Sequence, residues 1–171
     1  GLDKTVSLFV IVGAAAVMAV AIPFWGMRAD TWGRARIFGI AAILLGITAY
    51  PTFWVLHNFS HNVLLVFLAI SLPFGIIYGA AYATMSSLFS GSFEPTVRYS
   101  AVSFIYQFSG IFASGLTPMI ATMLVSSNDG QPWYLCGYLL VAAVISSLST
   151  IWITRLQGKE ELPHEPETSA R

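Results

Sequence analysis

The chain has 171 residues, of which 56% are hydrophobic and 9% charged, with a mean hydropathy of +0.73; an ordinary soluble domain carries about 25% charged residues. A water-soluble globular fold of this composition would expose large, aggregation-prone apolar patches, so a bilayer is the expected solvent. The zero formal net charge offers no basic field for nucleic acid, and the lone cysteine, Cys136, excludes an intrachain disulfide framework and a CxxC metal site.

A spanning helix needs about 20 mostly apolar residues. Five runs meet that requirement: residues 6–25, 37–56, 63–89, 100–125 and 133–154. None contains Asp, Glu, Lys or Arg. None alternates apolar and polar residues as a barrel strand would. The first run is of span length and ends in a charged loop, unlike a signal peptide with its short apolar core and small-residue cleavage site. It is read as a mature transmembrane segment. The fold class expected is therefore all-α integral membrane. Residues 1–155 form a transmembrane bundle, and residues 156–171, with Lys159, four glutamates, Pro163 and Pro166, form a disordered cytoplasmic tail.

Lys and Arg in the loops set the orientation. Arg28, Arg34 and Arg36 follow the first span, Arg98 follows the third, and Arg155, Lys159 and Arg171 follow the fifth. These segments are expected on the cytoplasmic side of a plasma (inner) membrane. Residue 1 then lies outside, which implies a further helix upstream and a chain that is the C-terminal part of a longer protein. Trp25, Trp32, Trp54, Trp133 and Trp152 are expected as interface anchors at span ends.

Small residues let helices approach in lipid, where no hydrophobic drive brings them together. Gly13–Ala16 in the first span, Gly75, Gly79 and Ala83 in the third, and Gly110 and Ser114 in the fourth supply such faces. Pro23, Pro73 and Pro118 remove backbone donors, and Pro73 is the best candidate for a bend. His57 and His61 stand four apart in the second loop, but without a third ligand they read as ordinary polar loop residues. Cys136 reads as a small buried hydrophobe.

The first cytoplasmic loop runs Gly26-Met27-Arg28-Ala29-Asp30-Thr31-Trp32-Gly33-Arg34-Ala35-Arg36. Glycines at both ends permit a tight turn between helices. Asp30 can accept from a neighbouring helix N-terminus or pair with an arginine. Gly26, Asp30, Gly33 and Arg34 resemble the G-x-x-x-D-x-x-G-R-[RK] signature of the major facilitator superfamily, with Arg28 standing where that family usually has an apolar residue. A second stretch, from Phe93-Glu94-Pro95-Thr96-Val97-Arg98 through Tyr106-Gln107 to Thr122, is similar to helix 11 and its preceding loop in the metabolite–proton symporters of that superfamily.

The resemblance implies helices 8–12 of a twelve-helix bundle. It implies proton-coupled symport of a small organic acid or zwitterionic osmolyte by alternating access. It also implies a conformational gating loop of Gly26, Asp30, Gly33, Arg34, Arg36 and Arg98. Helices 8, 10 and 11 line the cavity in that fold, which nominates Tyr78, Tyr82, Ser103, Tyr106 and Gln107 as cavity residues. Buried phenols and amides in lipid must face protein or water.

Proton coupling calls for a titratable membrane group. The five spans contain no carboxylate, so the proton carrier is expected in N-terminal helices outside this chain. Those helices, the bilayer, a small metabolite and protons are the expected partners. No catalytic set, cofactor site or metal site is expected. A non-transporting scaffold or receptor-like protein is the alternative.

Overall fold

The computed structural model describes residues 3–160, with side chains to Leu156. Five helices account for nearly all of it: α1 (Lys4–Trp32), α2 (Arg34–Asn58), α3 (Val63–Ser90), α4 (Arg98–Ser126) and α5 (Trp133–Glu160). All five are long and apolar enough to cross a membrane. At a rise of about 1.5 Å per residue, a 29-residue helix such as α1 is roughly 43 Å long, against a hydrocarbon core of about 30 Å. The helices therefore overrun the apolar runs and carry their ends into the headgroup layer. α1 continues seven residues past Trp25, the expected end of the first span. Trp25 accordingly packs against the buried cluster around Ala29 and Ile37, while Trp32, Trp54 and Trp152 are exposed. α5 runs past Thr154 to Glu160, and residues 161–171 of the expected tail lie outside the described residues.

Local chemistry sets the breaks. Gly33, at φ +89°, turns the chain between α1 and α2. The Asn62 side chain caps α3 by accepting from the Leu65 N–H at 3.2 Å. Asp129 and Gly130, both at positive φ, shape the turn between α4 and α5.

α3 packs between α1 and α2, and α2 lies between α3 and α5. The core is built of small side chains, among them Ala14, Ala41, Ala80, Ala81, Cys136 and Ala143. Steric proof of close approach comes from two glycines. A Cβ at position 75 would stand 2.8 Å from Val17 Cγ1 and 3.2 Å from the Ala14 carbonyl, and one at position 46 would stand 2.8 Å from Ala143 Cβ. The α1–α3 and α2–α5 contacts thus depend on missing side-chain atoms. The buried threonines bond within their own helix, Thr84 Oγ1 donating to the Ala80 and Ala81 carbonyls at 3.0 and 3.1 Å and Thr150 Oγ1 to the Ser146 carbonyl at 2.9 Å, whereas the buried Ser71 Oγ finds no partner among the described residues.

Both α3 and α4 widen in mid-helix into π-helical turns, at Ser71–Ile77 and Ile111–Leu116. In α3 the Tyr78 N–H donates to the Pro73 carbonyl five residues back. Pro73, which has no N–H of its own, thus resides in a widened turn. Among the described residues, α4 touches only α3 and α5 and contributes no buried residue.

Candidate functional site

Two regions hold the polar groups that the sequence singles out. The first is the α1–α2 junction. Gly26 lies inside α1, so the turn is made by Gly33 alone. Because α1 continues through Asp30, that carboxylate sits one helical turn before Arg34 and accepts from its Nη2 at 3.0 Å. Both side chains are more than half exposed, which limits the pair to about 1 kcal/mol or less. Arg28 lies 5.6 and 5.4 Å from the centres of the Phe24 and Trp32 rings. These aromatic partners account for a cation at a position the signature leaves apolar.

Asp30, Arg34 and Arg36 border one surface hollow with Ser87 and Gly91 at the end of α3 and with Thr154 of α5. Arg98 is placed differently from the expected network. Its Nε and Nη2 donate to the Phe93 carbonyl, at 3.4 and 3.3 Å. Among the described residues, neither Arg98 nor the N-terminus of α4 bonds to Asp30; its partner is Arg34, just across Gly33 at the start of α2.

The second region is a cavity of about 670 Å³ between α2, α3 and α5. Tyr78 and Tyr82 line it, joined by Phe74 one turn earlier. Phe74 and Tyr78 stack at 5.7 Å with an 8° interplanar angle, and Tyr78 meets Tyr82 at 6.1 Å. This three-ring ladder begins within the π turn and continues into the regular helix beyond it. Tyr106 of α4 is not among the residues that line this cavity; its ring meets Phe89, near the end of α3, at 6.2 Å.

Two of the five expected cavity residues, Tyr78 and Tyr82, therefore share the cavity. Ser103, Tyr106 and Gln107 do not; all three are exposed on α4 and lie outside the cavity lining. The contributions of Phe38, Thr52 and Phe53 from α2 are not legible in the sequence, whereas the Phe74–Tyr78–Tyr82 spacing of four is. Among the described residues, no charged side chain lines the cavity.

The Major Facilitator Superfamily model matches residues 1–170. A glycine betaine/proline/ectoine/pipecolic acid transporter of Dickeya dadantii (strain 3937) is 31% identical over 80% of this chain and 26% of its own length. A shikimate transporter of Escherichia coli (strain K12) is 26% identical over 88% of the chain and 34% of its own length. A proline/betaine transporter of the same strain is 28% identical over 75% of the chain and 25% of its own length. The chain thus spans about a quarter to a third of the length of these curated relatives. No solved structure matches.

Proposed function

The chain belongs to the major facilitator superfamily, and on that premise we propose that it forms five C-terminal helices of a secondary active transporter. In this reading the transporter moves a small organic acid or a zwitterionic osmolyte together with protons, by alternating access, across a plasma (inner) membrane. The observation that carries it is the α1–α2 junction, where Gly33 turns the chain and Asp30 pairs with Arg34. Relatives named as transporters of betaine, proline and shikimate support the solute class.

The junction, with Arg36 and Arg98 near the same membrane face by the charge bias of the loops, is proposed to be cytoplasmic, as is the C-terminus. A latch in such a cycle has to break and re-form. An exposed ion pair worth about 1 kcal/mol or less suits that task, since moving a two-state equilibrium from 1:99 to 99:1 takes about 5.5 kcal/mol in all. Asp30 and Arg34 therefore bias the cycle as one contact among several. The helices proposed to complete the bundle carry the proton, because the apolar runs of this chain hold no carboxylate.

The test uses the intact transporter that carries this segment, reconstituted in liposomes. Uptake of labelled betaine, proline and shikimate should rise when a pH gradient is imposed. Gradient-independent uptake would remove the proton, and no uptake of any of the three would remove the solute class. Within that assay Asp30→Asn should slow uptake several-fold while membrane insertion and thermal stability hold. Unchanged uptake would reduce the loop to a topological signal.

A further inference from the structure

α3 keeps one face on α1 for longer than a regular helix can. A Cβ at position 13 of α1 would stand 2.8 Å from Phe67 Cε2, one at position 75 would stand 2.8 Å from Val17 Cγ1, and one at position 79 would stand 3.3 Å from Ala21 Cβ. Ser71, between Phe67 and Gly75, is buried. Phe67, Ser71, Gly75 and Gly79 thus form one row at spacing four. A regular helix advances about 100° per residue, so positions 67 and 79 of one would face about 120° apart. The π turn Ser71–Ile77 removes the discrepancy. It takes in one extra residue, which returns about 100° and leaves the row nearly straight. The same correction holds Ile70, Phe74, Tyr78 and Tyr82, also four apart, on the cavity wall.

This register is unfavourable where it begins. Pro73 has no N–H to return to the Ala69 carbonyl four residues back, and among the described residues the buried Ser71 Oγ finds no partner. The Ala69 carbonyl is taken from α2 instead: Thr52 Oγ1 donates to it at 3.2 Å. The hydroxyls of Thr48, Thr84, Thr122, Thr150 and Thr154 bond carbonyls of their own helices; that of Thr52 crosses to another helix.

From these observations we propose that Thr52 is a positioning residue, whose hydroxyl replaces the donor that Pro73 lacks and holds α3 in its widened register. Without that bond α3 is free to exchange between the widened turn and a proline-kinked regular helix. The exchange turns the part of α3 beyond Ile77 against the part before Ser71 and carries Tyr78 and Tyr82 off the wall that they share with Thr52. The consequence for uptake rests on the transporter reading; the consequence for α3 does not.

Thr52→Val keeps the shape of the side chain and removes the donor, whereas Thr52→Ser keeps the donor. Amide hydrogen exchange over residues 74–82 of the intact protein in detergent reads the register directly. Thr52→Val should speed it by about 3- to 10-fold, and Thr52→Ser should restore the unaltered rate. In a Pro73→Ala background residue 73 regains its N–H, and there Thr52→Val should alter exchange by less than about 2-fold. Unaltered exchange in Thr52→Val, exchange in Thr52→Ser as fast as in Thr52→Val, or an equal effect of Thr52→Val with and without Pro73 would each overturn the proposal.

In liposomes, Thr52→Val should raise the half-saturating concentration of labelled betaine, proline or shikimate, whichever the unaltered transporter takes up, by about 3- to 10-fold, with the maximal rate changed less. Faster exchange with an unchanged half-saturating concentration would overturn the role in the cavity. Uptake of none of the three by the unaltered transporter would remove the transporter reading, and the exchange rates would still decide the part played by Thr52.

Discussion

α3 and α4 carry the same sequence signals and use them differently. Each contains small residues four apart, and each widens into a π turn near a proline. On α3 the stripe is filled: Val17 and Ala14 of α1 lie against Gly75, and Ala21 of α1 lies against Gly79. On α4, among the described residues, nothing stands within 4 Å of where a Cβ would be at Gly110 or Gly115, and no residue of the helix is buried. A stripe of small residues is therefore permission for close packing, and the neighbouring helix decides whether it is used. The π turns divide in the same way. That of α3 buries Ser71 and Gly75, while that of α4 buries nothing.

The largest effect should come from filling the used stripe. Gly75→Leu places atoms where Val17 Cγ1 and the Ala14 carbonyl already stand. The side chain of Val17 can shift; the backbone carbonyl can do so only by moving α1 away from α3. Overpacking costs about 1–3 kcal/mol where neighbours can relax, and this variant should reach or exceed the upper end. Thermal melting of the intact protein in detergent checks it. Melting at the unaltered temperature would mean that α1 and α3 are not held as closely as their side chains indicate.

A second test contrasts two glycines of one motif. Gly33→Ala forces a Cβ into a backbone at φ +89°, a conformation that costs a side-chain-bearing residue about 1–3 kcal/mol. Gly26 lies within α1, and a Cβ added there would meet nothing within 4 Å, so Gly26→Ala should stabilise by about 0.5–1 kcal/mol through helix propensity. Comparing the two melting temperatures separates the glycine that makes the turn from the one that merely precedes it. Equal shifts would mean that Gly26 also serves the turn.

What could be read from the sequence follows the physics that acts locally. The five helices were legible because charge is excluded from lipid over about 20 residues, whatever the tertiary fold. The Asp30–Arg34 pair was legible in kind but not in partner. The choice among Arg34, Arg98 and a helix N-terminus turned on α1 continuing seven residues beyond Trp25. That same extension moved Trp25 from an expected interface position to the side of the buried cluster.

Within the cavity, Tyr78 and Tyr82 could be paired from their spacing, since both stand on one face of one helix. Ser103, Tyr106 and Gln107 could not be placed, because the direction in which α4 turns its polar face depends on its neighbours. The π turns were not legible beyond the prolines. A proline announces a lost donor, but the tertiary setting decides whether the helix kinks, breaks or widens.

The smallest expected effect tests the unused stripe. Gly110, which shares the stripe with Ser114, stands just before the π turn of α4, and among the described residues nothing lies within 4 Å of a Cβ position there. No steric clash opposes Gly110→Ala, and the added methyl lowers the entropy of the unfolded chain. Melting of the intact protein should therefore stay within about 0.5 kcal/mol of the unaltered value or rise slightly. A loss as large as that of Gly75→Leu would break the contrast between the two helices. It would show that α4 packs this stripe against a helix outside the described residues, and the α3–α4 difference would then reflect which neighbours are present rather than how the two stripes are built.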